Sequence, residues 1–283
     1  MLIQVLFEGL VMGTIYALIA MGIALIWGVM NVLSFSQGEF MMLAMYITYA
    51  FSLGFGLDPS ISIILVMIIM FAFGAGIYKL LISKALKGPI LSQRLVTFAL
   101  GLVLVNGMLM LVGGQYKNVP DLFFTGSIDL GYLVVSKQKL VPLVISVVVT
   151  VALFLFMDKT KIGKAIRATS QDKVAAGLMG INTELAYTIA FGVSAAMAGA
   201  AGCALSYYYY ISPSVGAPFL IFGFIAVCIG GFGSIGGAFV GGLLMGFIDL
   251  LTGTYLSVSY KYLAIMLIFI LIVSFKPKGI FGR

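Results

Sequence analysis

The sequence has no histidine, one tryptophan, two cysteines, and only 9% charged residues. Each scarcity excludes something. Without histidine the chain lacks the commonest general base and the commonest metal ligand. Cys203 and Cys228 both stand in apolar surroundings, where spectator thiols are expected in place of a disulfide framework. Soluble domains carry roughly 25% charged residues, so water cannot be the solvent for most of this surface. No G-x-x-x-x-G-K-[ST] phosphate loop occurs: Gly163-Lys164-Ala165 lacks both the upstream glycine and the hydroxyl. No C-x-x-C, H-E-x-x-H or G-x-S-x-G arrangement is present either. The chain is therefore expected to be no enzyme, to hydrolyse no ATP itself and to need no cofactor.

What is present is oil. Hydrophobic residues make up 62% of the 283 positions, and the mean hydropathy is +1.20. The apolar runs are Gly9–Met30, Gly38–Leu57, Ile61–Leu81, Leu95–Val112, Leu140–Met157, Leu185–Tyr207, Ala217–Ile229, Gly236–Leu251 and Tyr260–Phe275. A helix needs about 20 residues to cross a bilayer core, and about 17 suffice. Barrel strands would alternate in short segments, whereas these runs are continuous. The pattern predicts an all-α integral membrane protein, a polytopic bundle of eight or nine spans with broken or short helices. It forms one domain over 1–283. The first run has no basic residue before it and no small-residue cleavage site behind it, so a retained helix is expected.

Net charge is +7, but the basic residues cluster in gaps and form no nucleic-acid stripe. Lys79, Lys84, Lys87 and Arg94 follow the third run. Lys159, Lys161, Lys164, Arg167 and Lys173 follow the fifth, and Lys276, Lys278 and Arg283 end the chain. The positive-inside rule assigns these three gaps to the cytoplasm. The gap Gly113–Lys139, whose lysines are diluted by Asp121 and Asp129, goes outside. The N-terminus is then outside and the C-terminus inside. Small residues recur at Gly9/Gly13, Gly237/Gly241 and Gly242/Gly246, a spacing that lets helix backbones approach closely within the bundle or at a subunit interface.

Two breaks interrupt the runs. In Asn31–Phe40, Ser36-Gln37-Gly38-Glu39 fits the S-x-x-E capping box, which predicts a capped turn near the cytoplasmic face. The alternative is a broken helix lining a transport path, with Gln37, Gly38 and Glu39 as candidates. Glu39 would compete with a substrate carboxylate there. The second break runs from Gly230 to Gly237. The run before it covers only about 20 Å as a helix, so entering from outside it would stop short of the inner face. Gly230, Gly231, Gly233, Ser234 and Gly236 thus either line a pathway or form a tight packing corner, with Ser234 available as a cap.

The loop Asp158–Glu184, about 27 residues, is too long for a simple connector. Apolar residues at i,i+4 spacing, such as Ile162/Ile166 and Val174/Leu178, predict a helix within Lys164–Gly180. It either rests on anionic lipid or docks a cytoplasmic partner. Asp249 lies near the outer end of its run, where an interfacial carboxylate is expected, and Asn106 is a weaker intramembrane polar candidate.

Several stretches resemble, in order and over nearly the whole length, the LivH-type permease subunits of bacterial branched-chain amino acid ABC importers. They are Gly13–Gly22, Trp27–Met30, Ser34–Glu39 (where that family typically has Asn-Phe-Ala-His-Gly-Glu), Gly163–Ala168, Asp172, Ala175-Ala176, Gly180–Thr183, Gly230–Gly237 and Pro277–Gly282. Gln37 thus replaces the family's histidine. Ala175-Ala176-Gly177-Leu178-Met179-Gly180 is similar to the A-A-x-x-x-G core of the importer coupling motif, with Val174 where the general motif has Glu and no downstream Leu-Pro. The resemblance implies a permease domain in the bacterial inner membrane, with a coupling loop at 158–184. It implies a second homologous permease subunit, two cytoplasmic ATPase subunits and an extracytoplasmic substrate-binding protein as partners, besides membrane lipid. Asp172, Ala175, Ala176, Leu178, Met179 and Gly180 would dock in an ATPase. Relatives that carry urea or short amides leave the substrate open. An ion-coupled secondary transporter using Asp249 or Glu39 is the competing class.

Overall fold

A computed structural model describes residues 2–120, 123, 126–129, 134–255, 258–276 and 279–282. Eleven helices lie among them: α1 Leu2–Met30, α2 Gln37–Phe55, α3 Pro59–Ala85, α4 Ile90–Val112, α5 Lys137–Lys159, α6 Lys161–Gln171, α7 Lys173–Leu178, α8 Thr183–Leu205, α9 Gly216–Gly230, α10 Ile235–Tyr255 and α11 Val258–Phe275. A two-stranded antiparallel hairpin, β1 Ser127–Asp129 with β2 Val134–Ser136, precedes α5.

Every apolar run became a helix, as expected of segments that must satisfy their own backbone hydrogen bonds in lipid. α1, α3, α4, α5, α8 and α10 are each long and apolar enough to span a membrane. α9 and α11 are apolar but shorter, and α2 is diluted by Gln37 and Glu39 at its start. The protein is an all-α, polytopic membrane protein.

α1 is the central post. It packs against α10, α8, α9 and α5, and its middle from Thr14 to Ile26 is buried throughout. Its closest neighbour is α10, and the small residues explain why. A Cβ on Gly242 would strike Ala17, and one on Gly246 would strike Gly13. Gly241 leaves the same room for Ala226 of α9. The repeated glycine pairs are thus used inside the subunit, joining α10 to α1 on one side and to α9 on the other. Oily side chains gain little by leaving lipid tails, so close backbone approach does the work instead. α3 and α8 form a second seam, where Gly74 faces Ala195 and Gly192 faces Phe71.

The bundle has two distinguishable ends. One carries α6, α7 and the second break. The other carries the hairpin, the turn between α2 and α3 and the segment 206–215. Asp58 organises that second end. It caps α3 by accepting from Ser60 N (2.9 Å), accepts from Phe123 N (2.8 Å) and is bonded by the Tyr207 hydroxyl. Burial alone would raise its pKa, but these hydrogen bonds outweigh burial and hold the carboxyl below its usual value. Asp121, Lys278 and Arg283, used above to orient the chain, lie outside the described residues, as does Pro277.

Candidate functional site

The capping box at the first break does not form. Ser36 has φ −95° and ψ 3°, away from the extended conformation an N-cap needs, and its side chain makes no cap bond. Its hydroxyl pairs with Ser34 Oγ at 3.2 Å instead. α1 ends at Asn31, whose φ of 55° starts the turn away from the helix. From there residues 31–36 run unwound inside the bundle. The Thr97 hydroxyl, in the second turn of α4, lies 3.3 Å from both Phe35 N and the Leu33 carbonyl oxygen. Irregular backbone survives at that depth because protein groups replace the missing helical partners.

α2 therefore begins at the level of its neighbours' midpoints and not at a face of the bundle. Gln37 is fully buried, and its Nε2 donates to the Ser194 carbonyl halfway along α8 (2.7 Å). The Glu39 side chain lies beside Gly101, midway along α4. Its Oε2 faces Gly216, the first residue of α9, and is buried without a hydrogen-bond partner among the described residues. Gly38 packs directly on Gly216, and neither position has space for a Cβ. Ionised and unpaired, a buried carboxylate costs several kcal/mol, while the start of a helix such as α9 returns about 0.3–2 kcal/mol. The balance is unfavourable for a Glu39 that is ionised and without a partner. A carboxylate here would repel a substrate carboxylate, but that objection does not touch a cationic group.

The second break behaves in the opposite way. Gly230 and Gly237 touch backbone to backbone, and Gly231 and Gly233 take φ of 106° and 80°. Ser234 does cap the next helix, accepting from Gly237 N (3.0 Å). The tail closes the end of α9 through Ile280 N to Ile229 O (2.8 Å) and Phe281 N to Gly230 O (3.1 Å). It is a tight packing corner. It also reaches the end of the bundle: Gly233 packs on Gly28, at the last turn of α1. α9 is short, but the missing length is at its start, where 206–215 descends unwound to Gly216. A run's length cannot say which of its ends is absent.

That corner meets the loop 158–184. A cavity of about 310 Å³ is lined by Gly28 and Val29 of α1, Met157 of α5, Ile166 and Ser170 of α6, and Gly233. α6 crosses the end of α5 at Gly163, where a Cβ would collide with Met157. Arg167 fastens the crossing, bonding the Met157 carbonyl and pairing with Asp158 at 2.8 Å. The expected single helix in Lys164–Gly180 is divided at Asp172, which leaves helical geometry (φ −153°, ψ 110°) to cap α7 by accepting from Val174 N and Ala175 N. α7 ends in a turn through Gly180 at φ 80°, closed by Ile181 N to Ala176 O. Of the proposed docking residues, Leu178 and Met179 are 84% and 82% exposed, whereas Ala176 is 5% exposed and packs beneath the helix. Val174, which departs from the general motif, is 72% exposed beside them.

Asp249 is a correction. Its carboxylate is buried, not interfacial: Tyr16 donates to Oδ2 (2.9 Å), and Lys261 of α11 pairs with Oδ1 (2.6 Å). Sequence spacing does not single out Lys261, although a lysine within the last apolar run is itself a signal. Glu8 and Lys139 form a neighbouring pair at 2.6 Å. Asp249 is enclosed but Lys261 is about a quarter exposed, so removing one member costs less than the about 3–5 kcal/mol of a fully buried pair. Asp249→Leu is therefore expected to lower the unfolding temperature in detergent markedly, and adding Lys261→Met to recover part of it. Equal losses in the single and double variants would refute the pairing. Asn106 donates to Leu102 of its own helix (2.8 Å) on an exposed face, and both cysteines are free thiols.

Compared with known proteins, residues 5–273 match the family model described as branched-chain amino acid transport system, permease component. The chain is 30% identical to the high-affinity branched-chain amino acid transport system permease protein LivH of Salmonella typhimurium, over 99% of this chain and 96% of that protein. It is 31% identical to BraD of Pseudomonas aeruginosa over the same shares, a protein with the same description. It is 26% identical to a probable LivH of Methanocaldococcus jannaschii, covering 99% and 92%. No solved structure matches.

Proposed function

Since this chain belongs to the family of branched-chain amino acid transport permeases, we infer that it carries branched-chain amino acids across the membrane as the permease subunit of an ATP-binding-cassette importer. The observation that carries this reading is the match itself, which spans every apolar helix. The chain is a multi-pass inner-membrane protein and not an enzyme. ATP hydrolysis belongs to separate subunits.

In this reading the end bearing α6 and α7 faces the cytoplasm, because Lys159, Lys161, Lys164, Arg167 and Lys173 gather there. The N-terminus is then on the opposite side. A second homologous permease completes the pore, two ATPase subunits bind at the cytoplasmic end, and an extracytoplasmic binding protein delivers substrate. Asp172, Ala175, Ala176 and Gly180 shape α7, and Leu178 and Met179 make its contact. Closure of the ATPases pushes α7 and, through it, α6. α6 rests on the end of α5 and, across the cavity, on the last turn of α1 and the Gly230–Gly236 corner. Motion at the end of α1 passes into the unwound residues 31–36 and so to Gln37, Gly38 and Glu39. Packed elements with two arrangements transmit displacements in this way.

The ion-coupled alternative loses its better candidate acid, since Asp249 is held by Lys261 and Tyr16. The test is reconstitution with the permease, ATPase and binding-protein subunits in vesicles. ATP-dependent uptake of leucine, isoleucine or valine that persists when ion gradients are collapsed is expected. Uptake by this chain alone, driven by an ion gradient, would overturn the reading.

A further inference from the structure

Between α2 and α4 lies an open apolar groove of about 390 Å³, within the usual size range of small-molecule sites. Leu43, Tyr46, Ile47, Ala50 and Leu53 line it from α2 and Met108 from α4. These positions belong to one stripe on each helix. On α2 the stripe continues one turn further in, from Leu43 to Glu39; on α4 it continues two turns further in, from Met108 to Gly101. Gly101 lies beside Glu39 Cγ, so the two stripes meet at the Glu39 side chain, one turn of α2 beyond the groove's lining. The absence of a side chain at Gly101 is what leaves space beside it.

Two polar atoms on this stripe of α2 are buried without a hydrogen-bond partner: Glu39 Oε2 and the Tyr46 hydroxyl. Glu39 is 7% exposed and Tyr46 5%. Buried polar groups are nearly always satisfied, so two orphans on one stripe call for a missing donor. Glu39 is not spent on capping α9, whose first turn makes no side-chain cap bond. Nor does any Lys or Arg among the described residues pair with it. A carboxylate accepts and a phenol hydroxyl can accept, which fits a group rich in N–H donors. The walls are aliphatic and aromatic.

We propose that Glu39 receives the α-ammonium group of the transported amino acid, with the groove between α2 and α4 holding its aliphatic side chain. This rests on the amino-acid reading above and assigns to it the point where the substrate's positive charge is read.

The assembled transporter in vesicles tests this, with leucine uptake and binding-protein-stimulated ATP hydrolysis measured together. Glu39→Gln keeps the shape and removes the charge. Hydrogen bonds to charged groups are the stronger class, so uptake is expected to fall at least ~10-fold, and by more than stimulated ATP hydrolysis falls. Glu39→Asp keeps the charge and is expected to retain more uptake than Glu39→Gln. Wild-type uptake rates in Glu39→Gln would overturn the proposal. So would a Glu39→Gln complex that fails to co-purify, because the carboxylate would then be structural. Failure of the amino-acid reading is visible separately, as a wild-type complex that imports no branched-chain amino acid.

Discussion

Replacing Leu178 and Met179 together by Glu is expected to abolish ATP-driven uptake while the permease still inserts and folds. Both side chains are more than four-fifths exposed at the tip of a helix anchored by other residues. Their loss should therefore cost the isolated chain almost nothing. In the complex they would be buried in an ATPase surface. Burying a side chain of this size contributes about 1.5–3 kcal/mol, so losing two removes about 3–6 kcal/mol and weakens docking more than 100-fold. The measurement is co-purification of the ATPase subunits together with ATP-dependent uptake. Normal values of both would refute docking and leave α7 as a helix resting on lipid. Bulky replacements at Ala176 or Gly180, which the motif alone suggests, would test something else. Ala176 packs under the helix, and Gly180 needs its positive φ, so both would disturb the loop itself.

Replacing Gly246 by Val is expected to remove most folded protein. The new side chain would enter the backbone of Gly9 and Gly13, forcing α10 off the central helix. Overpacking usually costs about 1–3 kcal/mol. Here the obstacle is backbone, which cannot rotate aside, so the upper end of that range or beyond is expected. At Gly253, on the same helix, an added Cβ would meet nothing within 4 Å. Gly253→Ala is therefore expected to be neutral or to stabilise by up to about 1 kcal/mol through helix propensity. Comparing the yield of monodisperse protein and the unfolding temperature of the two variants isolates the close approach from any general effect of losing glycine. Wild-type behaviour of Gly246→Val would mean that α1 and α10 do not meet at this seam.

Composition and the lengths of the apolar runs determined the class of the protein, the places of its apolar helices and the sites of both breaks. These properties are local: a helix in lipid satisfies its own hydrogen bonds, so its existence can be read from its own residues. The glycine pairs showed that helices pack closely, and Ser234 showed a cap that the structure contains. Tertiary structure alone decided depth and partnership. Ser36 has the residues of a capping box but not its backbone angles, and Glu39 turns sideways to Gly101 and Gly216, which are distant in sequence. The short helix α9 lost its length at the start, which exchanged the places expected for the two breaks. Asp249 became buried because Lys261 arrives from the next helix. Glu39 and Asp249 are decided by groups on other helices, and spacing along a sequence carries no information about which group from another helix will be there to meet a buried charge.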